Sequence, residues 1–200
     1  MTERVANSRQ HRALATILSI VFATAMIGAM TVNAIGEETA PTRITDPFRA
    51  EHEALRQHLR HMTTMVGTLA ALTPEEQKET MTHIVMCMGT NIQDHNKWEE
   101  EFLFPQIDKY SGTAGDASPL TATACNEHHI IGRWVSELKS LASAPEPDIK
   151  AFARRADNLL GLVMAHFETE EEILLPVLDA KMSADEFQKQ VADKIVPSTH

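Results

Sequence analysis

One stretch of this chain is written twice, and it constrains the fold more than any other feature. His95-Asn96-Lys97-Trp98-Glu99-Glu100-Glu101-Phe102-Leu103-Phe104-Pro105 returns as His166-Phe167-Glu168-Thr169-Glu170-Glu171-Glu172-Ile173-Leu174-Leu175-Pro176, both reading H-x-x-x-E-E-E-x-L-x-P. On an α-helix, residues four apart lie about 40° apart around the axis. His95 therefore shares a face with Glu99, and His166 with Glu170. An imidazole and a carboxylate converging on one spot form a metal-ligand pair. A Glu-rich surface helix makes one such pair by accident. Two copies with the same Leu and the same closing Pro predict a duplicated helix that serves a two-fold site.

The rest of the chain supplies partners for that helix. Asp46 and Pro47 open a first helix reaching about Ala71, with Phe48, His52, Leu55, Leu59 and Val66 on one face. Thr73-Pro74-Glu75-Glu76 is a capping box that opens a second helix, with Met81, Ile84, Met88, Ile92, His95, Glu99 and Phe102 inward and Pro105 as its end. Residues 106–117 read as a loop. Ser118-Pro119 opens a third helix facing inward with Thr121, His128, Ile131, Val135 and Leu138. Pro145-Glu146-Pro147 starts a fourth, whose stripe is Phe152, Leu159, Leu162, Val163, His166, Glu170 and Ile173. Ser183-Ala184-Asp185-Glu186 caps a short tail helix over about 184–195. Four long helices with short connections predict an all-α, antiparallel up-down-up-down four-helix bundle.

The duplication extends to the odd helices, which carry Glu51-His52 and Glu127-His128. These histidines lie near helix starts, whereas His95 and His166 lie near helix ends. In an antiparallel bundle, starts and ends of neighbours meet. His52, His95, Glu99, His128, His166 and Glu170 should then gather at one level. Four imidazoles and two carboxylates are too many for one tetrahedral zinc and suit two metals with the glutamates bridging. Nitrogen and oxygen donors without thiolate favour iron or manganese over copper(I). Glu100 and Glu171, one residue further round, are expected beside the ligands or at the surface. His129, His58, His61 and His83 are expected outside the site.

Residues 13–32 carry no charge and follow Arg4, Arg9 and Arg12. That length can span a bilayer as a helix, and the basic flank keeps the N-terminus cytoplasmic. A cleaved signal ending at Ala34 competes with a retained anchor. Either would place the domain on the periplasmic or extracellular side. The organisation expected is a signal or membrane anchor at 1–35, a linker at 36–45, a helical domain at 46–180 and a tail helix at 181–200. The formal net charge of −10 argues against nucleic acid as a partner. Cys87 and Cys125 form no CxxC motif. They should lie about 16 Å apart along the bundle axis, too far for a disulfide.

The pattern H…HxxxEExxLxP…EH…HxxxEExxLxP resembles the hemerythrin-like (HHE cation-binding) family over about residues 46–180. The resemblance implies a bundle with a carboxylate-bridged di-iron centre held by His52, His95, Glu99, His128, His166 and Glu170. It further implies small ligands such as O2, NO or peroxide. Oxygen-carrying members have a fifth histidine one turn after the third-helix His, and Gly132 stands there in this chain. The six-ligand set is similar to di-iron proteins that repair nitrosatively damaged iron centres and to iron-sensing members. Two function classes follow: an exported module that binds O2, NO or iron, and a di-iron enzyme that reduces peroxide, O2 or NO. No acid–base residue beyond the expected ligands was evident in the sequence, which ranks the binding module first.

Overall fold

The computed structural model describes residues 42–113 and 118–194, all within one unit, Pro41–Pro197. Helix α1 is Asp46–Thr68, followed by a 3-10 turn at Leu69–Ala71. Helix α2 runs over 74–111, with α-helical Pro74–Cys87, Gln93–Trp98 and Phe104–Ser111 joined by π turns at Met88–Ile92 and Glu99–Leu103. Helix α3 is Pro119–Ala142. Helix α4 covers 149–181 as Ile149–Thr169, a π turn at Glu170–Leu174 and Leu175–Lys181. Helix α5 is Ala184–Gln190, with a 3-10 turn at Ala192–Lys194. The described residues are all helix and connection, with no strand.

Several starts follow the expected chemistry. Thr73 with Glu76 and Ser183 with Glu186 form complete capping boxes, and the Ser118 hydroxyl accepts from the Thr121 N–H. Others differ. Thr45, not Asp46, stands at the cap of α1, and its hydroxyl donates to Asp179 at the far end of α4. Asp148, not the Pro145–Pro147 run, caps α4 by accepting from the Ala151 N–H at 2.9 Å.

Pro105 and Pro176 do not end their helices, and the loop expected at 106–117 begins only after Ser111. Each proline follows a π turn. A π turn changes the hydrogen-bond register, and a residue without an N–H is tolerated where the ladder is already interrupted. Gly112, at φ 91°, ends α2 instead by adopting the left-handed conformation that L side chains disfavour.

The π turns also shift the inward phase. Phe102 and Ile173 were expected inside, yet Phe102 is half-buried and Ile173 is 49% exposed. Leu103 and Leu174, one residue later, are fully buried in their place. One extra residue in the turn advances the buried face by one position.

The core falls into two clusters. One packs Leu59, Val66, Met81, Ile84, Ile131, Leu138, Phe152 and Val163. The other packs Phe48, Leu103, Phe104, Ile107, Leu174, Leu175 and Phe187. Each buried Leu, Ile or Phe stabilises by about 1.5–3 kcal/mol. The packed neighbours are α1 with α4, α4 with α3, and α3 with α2. Their ends are tied: Thr45 to Asp179, and Thr121 to Asp108 in the same way. Helix starts thus meet helix ends, as in an antiparallel bundle.

Cys87 packs against the first cluster and Cys125 against the second, and neither forms a disulfide. The expected anchor or signal at 1–35, with Ala34, His11 and His200, lies outside the described residues. Among the described residues no helix is long and apolar enough to cross a membrane.

Candidate metal centre

Between the two apolar clusters lies a polar layer. His52 comes from α1, His95 and Glu99 from α2, His128 from α3, and His166 and Glu170 from α4. All six are buried. They form two overlapping groups, His52–His95–Glu99–Glu170 and Glu99–His128–His166–Glu170, whose donor atoms lie within 4.8 Å of one another in each group. The two glutamates belong to both.

The carboxylates straddle the layer. Glu99 Oε1 lies 2.9 Å from His95 Nε2, and its Oε2 lies 3.2 Å from His128 Nε2. Glu170 Oε2 lies 3.4 Å from His52 Nε2, and its Oε1 lies 3.5 Å from His166 Nε2. Within each histidine pair the Nε2 atoms face each other, at 3.2 Å for His52–His95 and 2.9 Å for His128–His166.

The other ring nitrogens explain this orientation. His52 Nδ1 donates to Glu171 at 2.9 Å, His128 Nδ1 to Glu100 at 2.8 Å and His166 Nδ1 to Glu127 at 2.7 Å. His95 Nδ1 stands 3.4 Å from Glu51. A proton held on Nδ1 leaves a lone pair on Nε2, the form a metal requires. None of the four oxygens of Glu99 and Glu170 has a hydrogen-bond partner, although imidazole nitrogens surround them. Buried carboxylate oxygens without donors are costly. Converging lone pairs and orphaned oxygens fit two cations.

Without cations the layer redistributes protons. Burial works against a charge on His95, but Glu99 at 2.9 Å outweighs it and raises the imidazole to about 10. Burial alone would raise Glu99, yet the charge of His95 and the imidazoles of His128, His166 and His52 close around it hold it well below the carboxylate range. Burial and the charge of Glu99 push Glu170 well above that range. The two carboxylates are thus driven apart, Glu99 toward its ionised form and Glu170 toward its protonated form, as two acids in one dry site are.

The structure brings together all six residues expected from the sequence. It excludes His58 and His61, which are exposed, and His129, whose Nδ1 donates to the Cys125 carbonyl. His83, expected at the surface, is half-buried with its Nε2 3.6 Å from Cys87 Sγ. Sequence reasoning missed Glu51 and Glu127 as partners of His95 and His166. Their signal was present, since a glutamate precedes the histidine on both odd helices. The support runs across helices: each odd-helix glutamate faces an even-helix histidine, and Glu100 and Glu171 return the contact.

A family model described as the hemerythrin HHE cation-binding domain matches residues 43–178. The chain belongs to that family of helical, cation-binding proteins. No curated protein and no solved structure matches the chain.

Proposed function

We propose that this chain is a di-iron protein that handles O2, NO or iron at a dinuclear site, on the outer side of a membrane. The observation that carries the reading is the pair of donor groups sharing Glu99 and Glu170. Two cations fit there with two histidines each, His52 and His95 for one, His128 and His166 for the other. Nitrogen and oxygen donors without thiolate favour iron over copper(I). Bound iron would supply exchangeable positions and redox chemistry. The chain's own part is to hold the imidazoles of His52, His128 and His166 in one tautomer, to offer Glu99 and Glu170 to both donor groups and to keep bulk water out between two apolar clusters. Gly132 adds no fifth imidazole. The export part rests on the uncharged run 13–32 behind Arg4, Arg9 and Arg12.

The test is metal content. Full-length protein purified in air should hold about two irons per chain, one for each donor group. His95→Ala and His166→Ala should each lose most of it and melt at lower temperature, because bound metal stabilises by linkage. Full retention in both variants would refute the assignment. A reporter fused after His200 checks the placement: activity only in a cytoplasmic-type reporter refutes export.

A further inference from the structure

The two halves of the layer repeat each other, but only one is covered. Counted from the histidines, Asn96 on α2 corresponds to Phe167 on α4, and Gly132 on α3 corresponds to Arg56 on α1. In the α1/α4 half, Phe167 is fully buried and stacks on His52, with ring centroids 4.2 Å apart and 16° between planes. Arg56 lies over the Phe167 ring at 5.7 Å and holds Glu171 at 2.9 Å. Ring and guanidinium together cap that side.

In the α2/α3 half neither cap exists. A cavity of about 410 Å³ opens there, lined by Gln93, Asn96, Lys97, Glu100, His128, Gly132 and Arg133 among others. An added Cβ at Gly132 would meet only the Gln93 side-chain amide, at 3.7 Å. Asn96 is 5% exposed, and its Oδ1 has no hydrogen-bond partner. That oxygen is enclosed, and the NH2 group of the same amide is the end of Asn96 left to donate toward the cavity.

Charge differs in the same sense. Lys97 and Arg133 have no ion-pair partner among the described residues. Their counterparts in the covered half are Glu168 and Gln57. The carboxylate of Glu100 lines the same opening but accepts from His128 Nδ1, so the two unpaired cations outnumber it and favour an anion there.

We propose that this cavity is a docking site for a small monovalent anion, held between Lys97, Arg133 and the Asn96 amide and passed to the His128 edge of the centre. The passing step rests on the dinuclear reading above; the docking step does not. The covered half gives anions no equivalent route, so the two metal positions differ in access although their protein donors match.

Two arms test this separately. In the first, thiocyanate is titrated into metal-free, ¹⁵N-labelled full-length protein. Amide shifts should saturate and centre on residues 93–97 and 129–136. The double variant Lys97→Glu with Arg133→Gln, which copies the covered half, should weaken binding about fivefold or more, the size of an exposed charge pair. Shifts that are absent, spread over the surface or unchanged in the double variant overturn the docking site. In the second arm, iron-loaded protein is mixed with azide and followed optically. Gly132→Leu, which keeps the charge and suits a helix better than glycine, should lose the fast phase of azide binding. An unaltered fast phase overturns the passing step. A chain that holds no iron refutes the dinuclear reading, and the thiocyanate arm still decides the docking site.

Discussion

The α1/α4 half and the α2/α3 half of the polar layer share one set of candidate donors, His and Glu, in different surroundings. In the first, Phe167 and Arg56 cover His52. In the second, Asn96 and Gly132 leave His128 beside a cavity. A duplicated ligand set therefore does not enforce a duplicated environment. Ligand identity fixes what can be bound, and the residue after the second histidine, with the one four after the first, fixes what can reach it.

The largest expected effect tests the covered side. Phe167→Ala removes a fully buried ring from the stack on His52 and should cost about 3–5 kcal/mol in chemical denaturation. Asn96→Ala removes an amide oxygen that bonds nothing and should cost under about 1 kcal/mol, or nothing measurable. Equal losses would show that the open side is as closely packed as the covered one.

The bridging glutamates should also part company. In metal-free protein, Glu99→Gln leaves the His95 charge buried without its partner and should destabilise by about 3 kcal/mol. Glu170→Gln replaces an acid that burial and the Glu99 charge drive toward its protonated form, and should cost less than Glu99→Gln. Denaturant titration at pH 7 of both variants after metal removal compares them directly. Indistinguishable losses would mean that the two carboxylates share the charge.

A third difference is in acid. Burial opposes the charge on Glu171, but hydrogen bonds from His52 and Arg56 outweigh it and hold its carboxyl at about 2. A depressed folded value means that the ionised form favours the fold. That contribution is complete above the unfolded carboxylate range and is lost as pH falls toward about 2. The stability gap between the unaltered protein and Glu171→Gln should hence be flat above about pH 5 and close on acidification. A gap that does not change with pH would remove Arg56 and His52 as the cause.

The smallest effect lies on the open side. Gly132 sits inside α3 with room for a Cβ, so Gly132→Ala should raise stability by about 0.5–1 kcal/mol. A loss would show that the cavity wall is tighter than the neighbouring Gln93 suggests.

Much of this was readable in the letters. The capping chemistry of Thr73–Glu76 and Ser183–Glu186 is local, and the ligand set followed from i,i+4 spacing and from starts meeting ends. The π turns were not legible, because helical spacing assumes a constant 3.6-residue period and the motif keeps its apolar letters on either side of the change. Pro105 and Pro176 marked the places but read as stops. The supports from Glu51, Glu127 and the Thr45–Asp179 tie depend on side chains of different helices, which no period within one helix reports. Phe167 stood outside the inward stripe read for its helix, and its place over His52 appears only once α4 lies beside α1.

The division of the core into two clusters bears on how the chain folds. Each cluster is consistent within itself, apolar side chains meeting apolar side chains. The slab between them is frustrated: until cations arrive, orphaned carboxylate oxygens and one trapped proton compete for too few partners. Opening of the metal-free protein should begin at that slab, with amides near 95–100 and 166–171 exchanging hydrogen before those in either cluster. Under the dinuclear reading proposed above, metal would be the last element of the fold, turning the weakest layer of the bundle into the one that joins its two ends.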